Sequence, residues 1–153
     1  MEGAQKGVLG FSALMFIGGF VVAGLDFRYG WSYIPTAVTV SVSVVFVICY
    51  ALYAEVMREN AYLSRTVEVC EGQRVVDTGL YGVVRHPMYA VTLVMFTVIP
   101  LVLGSWWALL CFIPYPAIIA VRILNEEKLL ANELDGYREY MARVKYRLIP
   151  FLW

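Results

Sequence analysis

The sequence predicts an all-α fold: a polytopic integral membrane helical bundle of about four transmembrane helices, including a C-terminal helical hairpin, with a cytoplasmic amphipathic helix. Two observations carry that prediction, the apolar composition and the way charge is cleared from long stretches. Of 153 residues, 61% are hydrophobic and 16% charged, against roughly 45–50% and about 25% in a soluble domain. Mean hydropathy is +0.69. The stretches 7–25, 29–54 and 87–121 hold no Asp, Glu, Lys or Arg and run 19, 26 and 35 residues. A helix rising about 1.5 Å per residue needs about 20 residues to cross a hydrocarbon core of roughly 30 Å. The length also leaves no room for a doubly wound nucleotide domain beside the membrane part. A net charge of zero gives no basic field to recruit nucleic acid.

Taken in order, 7–25 and 31–54 read as single spans. A cleaved signal peptide is disfavoured for the first, because the span is long and its positive flank is Lys6 alone. The third stretch is too long for one straight span and contains Pro100, Gly104-Ser105, Trp106-Trp107, Pro114 and Pro116. It reads as a hairpin over 88–124 that turns at Gly104-Ser105, with the tryptophans at the far interface. The segment 55–87 is polar and lacks a strong period. Over 125–153, Leu130, Leu134, Tyr137, Met141, Val144 and Leu148 recur at spacings of four and three, the pattern of an amphipathic helix at the cytoplasmic interface with a weak point at Asp135-Gly136. The whole of 1–153 is expected to form a single domain. Lys6, Arg58, Arg65, Arg74, Arg85, Arg122, Lys128, Arg138, Arg143, Lys145 and Arg147 fall on one side of this topology and Arg28 on the other. That asymmetry places both termini in the cytoplasm. Cys49, Cys70 and Cys111 lack any CxxC pairing, so neither a disulfide framework nor a metal site is expected.

The hairpin brings polar residues together. Its first arm starts after Arg85-His86-Pro87 and its second ends at Arg122 and Glu126-Glu127, so two arginines, a histidine and two glutamates reach one interface. Charged groups there are costly unless paired or functional. Arg122 and Glu126, four apart on a helix, can pair, whereas Glu127 points about 100° away toward another neighbour. Pro87 suits the first turn of a helix, where free amides are available to an anion. Tyr137 and Tyr140 read as interfacial packing, and Gly18-Gly19 and Gly24 as close helix packing.

At these residues the chain resembles a family. Gly79-Leu80-Tyr81-Gly82-Val83-Val84-Arg85-His86-Pro87-Met88-Tyr89 is similar to the G-x-Y-x-x-x-R-H-P-x-Y signature of isoprenylcysteine carboxyl methyltransferases and the related phospholipid methyltransferases. Arg122 to Glu127, Leu129-Leu130, Tyr137-x-x-Tyr140 and Arg147-Leu148-Ile149-Pro150 follow that family's C-terminal half in order and spacing. The resemblance covers about Asn60 to Trp153, while the N-terminal helices agree only in being apolar.

The resemblance implies an enzyme that transfers a methyl group from S-adenosylmethionine, leaving S-adenosylhomocysteine, to a lipid or prenylated small-molecule or peptide acceptor at the membrane–cytosol interface. Carboxyl O-methylation of an isoprenylcysteine-like substrate is expected first, with N-methylation of a phospholipid or lipophilic amine as the alternative. A nicotinamide-dependent membrane reductase and a non-catalytic membrane protein are the readings of another class. The family's cofactor contacts would fall on Gln73, Arg74, Val75, Val76, Tyr81, His86 and Pro87 in the cytoplasmic segment 55–87, on Met88 and Tyr89 at the start of the hairpin, and on Glu127 in the C-terminal segment 125–153. His86 and the amides after it suit the carboxylate, Glu127 the ammonium or ribose, and Tyr81 and Tyr89 the adenine or sulfonium. Arg122, Glu126 and Arg85 are the candidate catalytic residues: Arg122 orients a carboxylate acceptor, and Glu126 or His86 takes the proton of an amine.

Overall fold

Six helices form the described part of the chain, which in this computed structural model comprises residues 2–62, 69 and 72–153. They are α1 (Glu2–Tyr29), α2 (Thr36–Glu59), α3 (Pro87–Val102), α4 (Trp106–Cys111), α5 (Tyr115–Glu133) and α6 (Tyr137–Arg143), with a 3₁₀ turn at Gly79–Gly82. No strand occurs among the described residues, and the protein is a helical membrane bundle. Gly10–Tyr29, Thr36–Glu59 and Trp106–Glu133 are long and apolar enough to cross a bilayer, and Pro87–Val102 is a shorter apolar helix. Arg65 and Cys70 lie outside the described residues, as does the side chain of Lys6.

Several boundaries differ from the sequence expectation. The first span does not stop at residue 25: α1 runs on through Asp26 to Tyr29 and closes at Gly30, whose φ of 64° lets its N–H reach the Asp26 carbonyl at 2.7 Å. The second begins at Thr36 rather than 31, because Pro35 has no N–H to give and suits a helix start, where its carbonyl accepts from Val38 at 2.9 Å. It extends to Glu59. The hairpin turns where expected, at Gly104 (φ 80°), and Ser105 caps α4 by accepting the Ala108 N–H. Its second arm is broken at Phe112 to Pro114, as Pro114 cannot donate into the ladder.

The arm also does not end at 124. α5 continues unbroken to Glu133, so no separate amphipathic helix spans 125–153. The chain breaks at Leu134 to Gly136, where Gly136 adopts φ 81°; α6 occupies one short stretch and 144–153 is not helical. The apolar period still marks burial: Leu130, Tyr137, Tyr140 and Val144 form one buried cluster joined by Val69 and Val75.

The chain divides into two units. The first comprises Met1–Tyr50 and Leu93–Ile118. Here α1 packs on α4, and Phe16 meets the rings of Phe96 and Phe112 edge-on at 4.6 and 5.4 Å. Gly19 permits the contact, since a methyl placed there would lie 2.5 Å from the Phe112 ring; Gly18 and Gly24 have no such neighbour. Asp26, 1% exposed, accepts from the Ser32 N–H at 2.7 Å and from the hydroxyls of Ser32 and Ser105, fastening the end of α1 to the start of α4. Phe11, Leu14, Ile17, Phe20, Val40, Val44 and Val47 point outward, as lipid-facing side chains do.

The second unit comprises Ala51–Thr92 and Ile119–Trp153. It contains the Gly79–Gly82 turn, the start of α3, most of α5, α6 and the C-terminal tail, and it holds every residue singled out as a candidate site.

Candidate functional site

The site is built on the first residues of α3 and the middle of α5. The 3₁₀ turn ends at Gly82 and leads into Arg85 and His86, whose backbone N–H groups donate to the carbonyls of Tyr146 and Arg147, both at 2.9 Å. The tail therefore runs alongside the two residues that precede Pro87. The His86 carbonyl in turn accepts from Ala90 at 3.1 Å and opens α3.

Four side chains converge beneath this point. Glu127 Oε1 accepts from Arg85 Nε at 2.7 Å and lies 3.3 Å from His86 Nε2, and its Oε2 accepts from Arg147 Nε at 2.8 Å. Arg85 is held further by the carbonyls of Val144 at 2.7 Å and Lys145 at 3.0 Å. The side chains of Arg85, His86 and Glu127 are each about one-twentieth exposed or less. Charges so deeply buried persist only when they are paired and hydrogen-bonded, as these are. Glu127 thus faces a different set of partners from Glu126, as a helical turn of about 100° requires.

On its own side Glu126 accepts the Tyr89 hydroxyl at 2.8 Å, and the Arg122 guanidinium lies 5.8 Å from the centre of the same ring. Tyr89 thus stands against both Arg122 and Glu126. Across from it, Tyr81 receives Asn60 Nδ2 on its hydroxyl at 3.1 Å and Tyr140 Oη on its carbonyl at 2.8 Å. Burial pushes the Tyr81 phenol up to about 12, and burial raises Tyr137 and Tyr140 as well. These rings stay neutral hydroxyls at physiological pH.

A recess of about 730 Å³, counting the open space at its mouth, lies between these groups. Gln73, Arg74, Val75, Val76, Tyr81, His86, Met88 and Tyr89 line it, together with Arg85 and Glu126. Of the other candidates, Glu127 sits behind Arg85 and His86, while Pro87 and Arg122 are not among the lining residues. Asn60, Tyr62, Leu130, Leu134, Tyr137 and Tyr140 complete the wall and were not singled out as site residues from sequence. For Leu130, Leu134 and Tyr137 the signal was present in the apolar period, which marks their burial beside Val75 although the helix breaks between Leu134 and Gly136.

The wall carries an imidazole (His86), a carboxylate (Glu126), guanidinium groups (Arg74, Arg85), tyrosine rings and the apolar Val75, Val76, Leu130 and Leu134, the kinds of group that a ligand with charged, aromatic and sulfonium parts requires.

Apolar helices carrying a buried ion cluster and a tyrosine-walled polar recess define the class: an integral membrane protein with a polar recess beside its helix ends. The phospholipid methyltransferase family model matches residues 42–135. The chain belongs to that family of membrane methyltransferases, which takes in the isoprenylcysteine carboxyl methyltransferases. It is also similar to the Delta(14)-sterol reductase of Mus musculus, 27% identical over 99 residues that cover 58% of this chain and 22% of the reductase. The chain thus spans about a fifth of the length of that relative.

Proposed function

We propose that the protein transfers a methyl group from S-adenosylmethionine to a lipid-linked acceptor where the membrane meets the cytosol, with both termini and the recess on the cytoplasmic side. The observation that carries this reading is the convergence of His86, Glu126 and the tyrosines on one recess in a chain of the methyltransferase family. The eleven-to-one distribution of basic residues supports the orientation. Bound there, S-adenosylmethionine supplies an electrophilic methyl carbon and leaves as S-adenosylhomocysteine.

The protein's part is to hold and orient. His86 and the amides that open α3 receive a carboxylate, Glu126 receives an ammonium or ribose hydroxyl, and the tyrosine hydroxyls stay protonated and donate. Glu127 acts from behind the wall by fixing Arg85 and His86. In-line displacement requires the acceptor atom about 3–3.5 Å from the methyl carbon in a site that excludes water. The apolar helices supply the solvent for the acceptor's lipid part. A carboxylate acceptor needs no base, only a cation to orient it, and Arg122 beside Tyr89 is suited to that. We assign carboxyl O-methylation of an isoprenylcysteine-like substrate as the reaction. With an amine acceptor, Glu126 would take the proton instead.

Incubating the purified protein with radiolabelled methyl donor and total membrane extract tests the assignment. Label released by mild base is an ester and supports it; base-stable label is an N-methyl group and assigns the amine chemistry. Similarity to the sterol reductase favours one competing reading, hydride transfer from a nicotinamide cofactor. Preferential binding of NADPH over S-adenosylhomocysteine would decide for that reading.

A further inference from the structure

Arg147 does not line the recess, yet it reaches His86 by two routes. Its carbonyl accepts the His86 N–H at 2.9 Å. Its guanidinium donates from Nε to Glu127 Oε2 at 2.8 Å, and the opposite oxygen of that carboxylate lies 3.3 Å from His86 Nε2. The side chain bridges solvent and core, being 29% exposed where Glu127 is 5%. The ring of Trp153 stands 5.3 Å from the guanidinium.

The terminal torsion of a glutamate is broad, so a carboxylate held through one oxygen can swing about its last bond. Pinning Oε2 fixes the plane of the group and with it the line along which Oε1 meets the imidazole. Arg85 holds the other oxygen, Oε1, through Nε, and its Nη1 is given to the carbonyls of Val144 and Lys145, so the bond to Oε2 comes from Arg147. Charge-assisted bonds of this length are among the stronger positional restraints available to a protein.

We infer that Arg147 is a positioning residue: it fixes the Glu127 carboxylate and, through it, the orientation of the His86 imidazole at the recess. The geometric part stands by itself; its consequence for cofactor binding rests on the methyl-transfer reading.

The chain contains one histidine, so labelling histidine with nitrogen-15 yields an NMR spectrum of His86 alone. In the full chain in nanodiscs, Arg147→Gln keeps the backbone carbonyl and removes the cation. The expected result is displaced and broadened imidazole resonances, and a KM for S-adenosylmethionine raised about tenfold, the scale of one lost charge-assisted bond, with a smaller change in kcat. Arg147→Lys, which keeps the charge, should recover part of both changes, and it provides the same readouts if Arg147→Gln does not fold. Arg138→Gln, an equal charge change at an exposed position of α6, should alter neither. Imidazole resonances that superimpose on those of the wild type overturn the inference. If they move while the wild-type protein shows no binding of S-adenosylhomocysteine, the positioning role stands and the methyl-transfer reading fails.

Discussion

Arg85 and Glu127, 42 residues apart, meet at 2.7 Å with each side chain 5% exposed. The pair joins the segment entering α3 to the middle of α5. His86 and Arg147 share the same carboxylate, so one acidic group is the common partner of side chains drawn from separate parts of the second unit.

Glu127→Gln should therefore cost far more than a surface substitution. Removing the charge leaves Arg85 buried without its counter-ion, a change worth roughly 3–5 kcal/mol. Thermal unfolding in detergent should show a large drop in midpoint. Glu126→Gln, whose partner is the neutral Tyr89 hydroxyl, should cost about 1 kcal/mol.

The buried tyrosines predict an alkaline limit. Tyr81 ionises at about 12 in the folded chain against 10.0 for the free group, so its contribution to stability is complete below pH 10 and is lost as the pH climbs toward 12. Tyr137 and Tyr140 shift the same way. Unfolding followed against pH should lose midpoint over that interval, and Tyr81→Phe should flatten the loss.

Gly19 sets how closely α1 approaches α4. Gly19→Leu should destabilise by about 1–3 kcal/mol through overpacking against Phe112, and Phe112→Ala should recover part of it in a double-mutant cycle. Simple additivity of the two changes would show that the contact is absent.

Much of this was legible in the chain, for identifiable reasons. Charge-free stretches marked the helices because lipid excludes charge. Gly104-Ser105 marked the hairpin turn because glycine tolerates positive φ and serine caps the next helix. Helical geometry separated Glu126 from Glu127. What stayed hidden depended on distant partners. The Asp26 clasp needs Ser105, 79 residues away, and the role of Arg147 needs the tail to return beside His86. Likewise nothing marks Asn60 within the polar segment 55–87 until Tyr81 is placed against it.

Asp26→Ala should test that hidden clasp. The Ser105 hydroxyl, fully buried, loses its acceptor, a penalty of about 1–3 kcal/mol. Asp26→Asn, which keeps an acceptor oxygen, should lose less, as read by thermal unfolding.

The central claim is that this chain holds S-adenosylmethionine in the recess below Arg85 and His86. Calorimetry with S-adenosylhomocysteine on the purified protein in nanodiscs tests it most directly. Saturable one-to-one binding is expected, weakened at least about tenfold by His86→Ala and by Glu127→Ala through the loss of a charged or positioned contact. Absence of binding by the wild-type protein in nanodiscs, or binding that both substitutions leave intact, would contradict it.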